Sequence, residues 1–210
     1  MVDTRGRNEW LKLIAVVTML IDHIGLVYYP DELWLRAIGR LAMPIFAYLI
    51  AQGYIHSSDT NRYLKRLALF AVISQIPFVL MNDLPWTQGN MLVTFTLSLL
   101  WLKLGWKWSP LFIFIGLVVP MDYGFYGLCM APVFYWLRDR PGFTLGALTL
   151  TTLVVSYVYI WPLQIIAIGG VWLALYLPNL EWSWRWRVPR IFWYWFYPGH
   201  MLILWAGTMV

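Results

Sequence analysis

The sequence predicts an all-α, polytopic membrane protein: one integral domain over residues 1–210 with about nine transmembrane helices and a cytoplasmic amino terminus. Three observations carry this expectation. Of the 210 residues, 61% are hydrophobic and 12% charged, against about 25% charged in an ordinary soluble domain, so lipid has to act as solvent. Residues 141–180 hold no Asp, Glu, Lys or Arg, a stretch long enough for two spans of about 20 residues each. The charges that do occur alternate in sign from one connection to the next.

The spans are expected at 11–29, 33–54, 64–81, 90–106, 109–120, 124–138, 143–160, 162–178 and 190–209. The fifth is short enough for a re-entrant segment, which would leave eight. Arg5, Arg7 and Lys12 precede the first span, and Arg62, Lys65 and Arg66 follow the second. Lys103 and Lys107 follow the fourth, Arg138 and Arg140 the sixth, and Arg185, Arg187 and Arg190 the eighth. Asp31, Glu32, Asp83 and Asp122 occupy the opposite connections. The positive-inside rule then puts the amino terminus in the cytoplasm and, with nine spans, the carboxyl terminus outside. The first apolar run carries Asp22 and His23 and lacks a small-residue cleavage site, so no removable signal peptide is expected.

The net charge of +5 is a consequence of this topology. The basic excess meets anionic lipid at the cytoplasmic face and is no argument for nucleic acid. Fifteen tryptophans suit interfacial belts, and EWSWRWR at 181–187 reads as an interfacial anchor. Cys129 is alone, which excludes an intramolecular disulfide and a Cys-rich metal site; it reads as a small buried apolar residue. His23, His56 and His200 show no HExxH or paired spacing, so no metal is expected.

Polar residues inside the spans carry the functional signal. At about 1.5 Å per residue, His23 lies a little outside the midpoint of span one. Arg40 lies similarly in span two, and His200 near the centre of span nine. Three ionisable groups from three helices thus share one layer, with Asp122 just above it. A charge near the bilayer centre costs roughly 2.5–3.5 kcal/mol, and such residues mark pathways or reaction centres by default. One such residue alone could snorkel or pair with a carbonyl, and Asp22 could simply neutralise Arg40. His56, in HSSDTNR, reads as a solvated loop residue.

Lys12 and His23 are eleven residues apart, three turns plus about 20°, on one helix face and separated by about 16 Å. A cation at the cytoplasmic surface with a base below it suits a long anionic donor. Its phosphates would stay in the cytosol while a flexible arm carries the reactive group inward.

These residues sit in KLIAVVTMLIDHIG (12–25) and RAIGRLAMPIFAYLIAQG (36–53), followed by YLKRLALFAVISQIPF (63–78), PWTQGNMLVTFTL (85–97), MDYGFYGLCM (121–130) and FWYWFYPGHMLIL (192–204). In that order they resemble the TraX family, which includes the F-pilin acetylase. Residues 139–180 add only span count. The family is more distantly similar to the acyltransferase-3 and heparan glucosaminide N-acetyltransferase groups, which share a basic residue ahead of a membrane histidine. The resemblance implies a multi-pass acyltransferase of the bacterial cytoplasmic (inner) membrane that uses acetyl-CoA as co-substrate. The acceptor is left open as a protein, glycan or small molecule, a pilin amino terminus among them. WSWRWRVPR before FYPGH departs from the pattern and bears on which substrate docks.

Acetyl transfer needs a base, an electrophilic thioester and a stabilised oxyanion. His23 is expected as general base or transient acetyl carrier, with Asp22 paired to Arg40 or orienting a neighbouring helix. Arg40 would hold the oxyanion or the acceptor. Tyr197 and His200 would complete the pocket, Asp122 and Tyr123 would line its outer mouth, and Lys12, Arg62, Lys65 and Arg66 would meet the CoA phosphates. Two other classes fit parts of the pattern. A proton-coupled transporter would also cluster His, Arg and Asp at mid-depth, with Gly169–Gly170 as a helix break. A non-catalytic membrane chaperone of pilin-like substrates would need no titratable layer.

Overall fold

The structure is a computed structural model describing residues 4–179 and 188–209; the Trp- and Arg-rich stretch at 181–187 lies outside the described residues. Helices fill each expected span: α1 (Thr4–Tyr28), α2 (Leu33–Gly39), α3 (Ala42–Ile55), α4 (Thr60–Asn82), α5 (Met91–Leu104), α6 (Ser109–Val118), α7 (Gly124–Trp136), α8 (Pro141–Val158), α9 (Ala167–Tyr176) and α10 (Arg190–Gly207). Among the described residues there is no strand; Gly89 and Met121 form an isolated bridge. Four stretches are long and apolar enough to cross a membrane: Glu9–Tyr28, Leu33–Ile55, Thr60–Asn82 and Pro141–Val158. The short α6 and α9 each rise about 15 Å, half of a hydrocarbon core of about 30 Å.

The second expected span is divided. Pro44 has no N–H to give the Arg40 carbonyl, and its ring crowds that carbonyl. The chain tightens there instead, with Arg40 N–H donating to Ala37 (3.1 Å) and Leu41 N–H to Ile38 (3.2 Å). Gly170 packs against this joint: a Cβ at that position would come within 2.5 Å of the Leu41 carbonyl oxygen. Helix α9 runs unbroken through Gly169 and Gly170. The glycine pair is therefore a close-packing site for a neighbouring backbone, and the expected helix break is corrected. The break comes earlier, at 159–166, where Ile160 is left-handed (φ 52) and a 3-10 turn spans Pro162–Ile166.

Prolines inside other helices are accommodated locally. Pro132 withholds the N–H that the Leu128 carbonyl would accept, and the Ser98 hydroxyl donates to that carbonyl at 2.9 Å. Cys129 is buried beside it, as its apolar surroundings suggest.

Two ends of the bundle are distinguishable. At one, Tyr28 Oη donates to the Leu204 carbonyl at 2.8 Å, and Asp122 N–H donates to the Gly89 carbonyl at 2.8 Å. At the other, Lys103 Nζ donates to Asn61 Oδ1. The 83–90 connection is fixed by Asn90, whose side chain is wholly buried. Its Oδ1 caps α5 through Leu92 N–H (2.9 Å), and its Nδ2 donates to the Ala71 carbonyl and to Gln75 Oε1, both at 2.8 Å. Gln75 Nε2 in turn donates to the Gln88 carbonyl at 2.7 Å. Asn90→Ala removes three hydrogen bonds and leaves buried partners unsatisfied, an expected loss of about 2–4 kcal/mol. A thermal-unfolding midpoint in detergent equal to that of the parent protein would contradict this.

Candidate active site

A cavity of about 130 Å³ lies among α1, α2, α3, the end of α4, the start of α5 and the 119–123 connection, with Tyr197 of α10 on its wall. It is comparable to the roughly 150 Å³ engineered cavity that accommodates benzene, room for a small acyl group but far short of a whole nucleotide. Asp22, His23, Arg36, Arg40, Asp122, Tyr123 and Tyr197 line it together with apolar residues that include Met19, Met43 and Phe78.

His23 and His200, 177 positions apart, meet directly: His23 Nδ1 lies 2.7 Å from His200 Nε2. The rings are nearly coplanar, with centroids 5.0 Å apart and planes 4° apart. His200 Nδ1 is 2.7 Å from the Phe196 carbonyl, which can only accept, so this nitrogen carries the hydrogen. For two neutral rings the rest follows. His200 Nε2 is an acceptor, His23 Nδ1–H donates to it, and His23 Nε2 keeps its lone pair. The assignment comes from the hydrogen-bond network. One backbone carbonyl thereby sets the tautomers of two imidazoles. His200 is further held by the Phe196 ring, stacked at 4.9 Å, and by Tyr197 at 5.9 Å.

Beside His23, one turn of α1 and the whole of α2 are locked by charge. Arg40 Nη2 donates to Asp22 Oδ1 at 3.0 Å, the pairing expected from the sequence. Arg36 is the residue that the sequence reading passed over. Its Nη1 donates to Asp22 Oδ2 at 2.7 Å and to the Asp22 carbonyl at 3.1 Å, while its own carbonyl accepts from Arg40 Nε at 3.2 Å. The signal was present, since Arg36 and Arg40 are four apart and share a helix face. Gly39 makes the approach possible, because any Cβ there would overlap the Asp22 side chain. The Arg40 guanidinium lies 5.8 Å from the centroid of the Tyr123 ring. Tyr123 itself is left-handed (φ 62), a conformation costing roughly 1–2 kcal/mol for a residue with a Cβ. The connection that carries it is held by Thr94 Oγ1 donating to the Asp122 carbonyl at 2.7 Å.

The basic residues expected to meet a nucleotide are not brought to the cavity. Lys12 is ion-paired with Glu9 at 2.6 Å and is not among the residues that line the cavity. Arg62 faces Asp59 at 3.6 Å and is exposed. Asp59 caps α4 by accepting from Arg62 N–H at 2.9 Å, and that bond holds its carboxyl below the usual range. Lys65 is exposed, and Arg66 stacks on Tyr194 at 5.3 Å. His56 is exposed at the end of α3, with Nδ1 donating to the Gln52 carbonyl at 2.9 Å.

The family model for the TraX protein matches residues 7–207. The chain belongs to the TraX family. Among its relatives is a probable fimbrial assembly protein, FimC of serogroup H1, from Dichelobacter nodosus, 28% identical over 95% of this chain and 94% of that protein. The protein TraX of Escherichia coli is 30% identical, the match covering 63% of this chain and 56% of that protein. An uncharacterised protein of Rickettsia prowazekii is 41% identical over 33% of this chain and 26% of its own length. No solved structure matches. The TraX match takes in α1 from Arg7 and the whole of α10, so it includes both histidines of the pair.

Proposed function

We propose that this chain is a membrane-embedded acyltransferase that moves an acetyl group from cytosolic acetyl-CoA to an amine or hydroxyl at the outer side of the bacterial inner membrane. It acts with nine spans and a cytoplasmic amino terminus. The observation that carries the reading is the Phe196–His200–His23 relay, whose last ring, His23, lines an acyl-sized cavity. A base fixed in one tautomer by a second group, itself oriented by a third, is the arrangement general-base and nucleophilic catalysis require. The names of the relatives, TraX and fimbrial assembly protein, make a pilin amino terminus the first acceptor to try.

In this reading His23 Nε2 takes the proton of the acceptor, and His200 stabilises the imidazolium that forms. The Asp22–Arg36–Arg40 cluster supplies positive charge beside the bond being made. Lys12, Arg62, Lys65 and Arg66 meet the phosphates at the cytoplasmic edge, and the flexible donor arm reaches inward to His23. The decisive experiment is transfer of labelled acetyl from acetyl-CoA to pilin amino-terminal peptide in proteoliposomes. Absence of transfer to any amine or hydroxyl acceptor would leave a transporter or a chaperone.

The topology has its own test. A thiol introduced as Ser57→Cys is expected to react with a membrane-impermeant maleimide only from the cytoplasmic side, and Trp86→Cys only from outside. The buried native Cys129 gives a low background. Labelling of both from one side would contradict the nine-span arrangement.

A further inference from the structure

We infer that Arg36 is a catalytic residue whose free guanidinium edge binds the oxyanion formed as acetyl is transferred; this rests on the acyltransferase reading above. The two guanidiniums on Asp22 are not equivalent. Arg40 has a side chain only 9% exposed and commits both Nε and Nη2. Arg36 has a side chain 18% exposed on the cavity wall. Its two hydrogen bonds to Asp22 both leave from Nη1, one to the carboxylate and one to the carbonyl. Those two bonds hold the guanidinium plane against α1 and leave the Nε and Nη2 hydrogens for something else.

A donor edge fixed in advance, in a confined cavity beside a base, is what stabilises charge as it develops, because nothing has to reorganise at the moment of reaction. The step balances. The acceptor nitrogen or oxygen attacks the thioester carbon as His23 Nε2 removes its proton. The carbonyl π pair moves onto oxygen, where Arg36 meets it. Collapse re-forms the carbonyl and breaks the carbon–sulfur bond, and the thiolate of CoA takes the proton back from His23. Acetylated acceptor and free CoA leave.

The test is kinetic, in proteoliposomes. Arg36→Ala should lower kcat by about 10²–10³-fold, as loss of one such donor does elsewhere, with little change in KM for acetyl-CoA. Added guanidinium ion should restore part of that kcat, whereas ammonium at equal ionic strength should not. Arg36→Lys, which keeps the charge and loses the planar fork, should recover less than guanidinium restores. Monodisperse elution in detergent checks that the variants fold. If Arg36→Ala keeps its kcat, or falls without guanidinium rescue while folded, Arg36 is no oxyanion donor. If the unaltered protein transfers no acetyl at all, the acyltransferase reading fails and takes this inference with it.

Discussion

His23→Ala is expected to abolish acetyl transfer, with kcat falling by about 10³–10⁴-fold or below detection, while the protein still inserts and elutes as a single species. Positioned general bases contribute typically 10²–10⁴-fold, and here the same ring is the only partner of His200 Nε2 in the relay. His200→Phe should be milder. It keeps a flat ring of similar size against Phe196 but removes the acceptor for His23 Nδ1–H, so either tautomer of His23 becomes available and part of the population presents the wrong nitrogen. His200→Asn, whose amide oxygen can accept, should recover some of that loss. His56→Ala, in an exposed position at the end of α3, should match the parent protein. Labelled transfer under single-turnover conditions measures all four. Substantial activity in His23→Ala would remove the histidine pair from the mechanism, whatever the other variants do.

The second large effect concerns stability. Asp22 is shared by two guanidiniums in a part of α1 that is buried against α2. Asp22→Ala leaves both cations facing each other without a counter-ion. Removing one partner of a buried pair costs about 3–5 kcal/mol, and here two donors lose their acceptor at once. The expected result is a marked fall in the thermal-unfolding midpoint in detergent, with much of the protein lost to aggregation. The paired change Asp22→Asn with Arg40→Gln replaces the charges by hydrogen-bonding amides and leaves Arg36. It should recover most of the midpoint, because the cost lies in the uncompensated charge more than in the bonds themselves. An Asp22→Ala protein as stable as the parent would mean that the cluster is well hydrated and holds nothing together.

The depth of the polar residues was readable before any fold. A helix of known rise converts sequence position into height, which is why His23, Arg40 and His200 could be set in one layer and Asp122 just above. The sign of the charge in each connection is likewise a local property of the chain, and the expected topology rests on it alone. The division at Arg40 follows from Pro44 and could have been read too, although the uninterrupted apolar run through 41–51 hid it.

What height cannot give is direction around each helix relative to the others, and that is what the tertiary structure decided. Whether His23 and His200 touch, 177 positions apart, depends on how α1, α4 and α10 pack. Whether Asp22 meets one arginine or two depends on Gly39 letting α2 close onto α1. Arg36 entered the site only through that closure. The same packing left Lys12 paired with Glu9 and off the cavity lining, although its spacing from His23 put both on one face. Period and composition are properties of single segments; a site built from several of them is fixed by the contacts that each buried face finds.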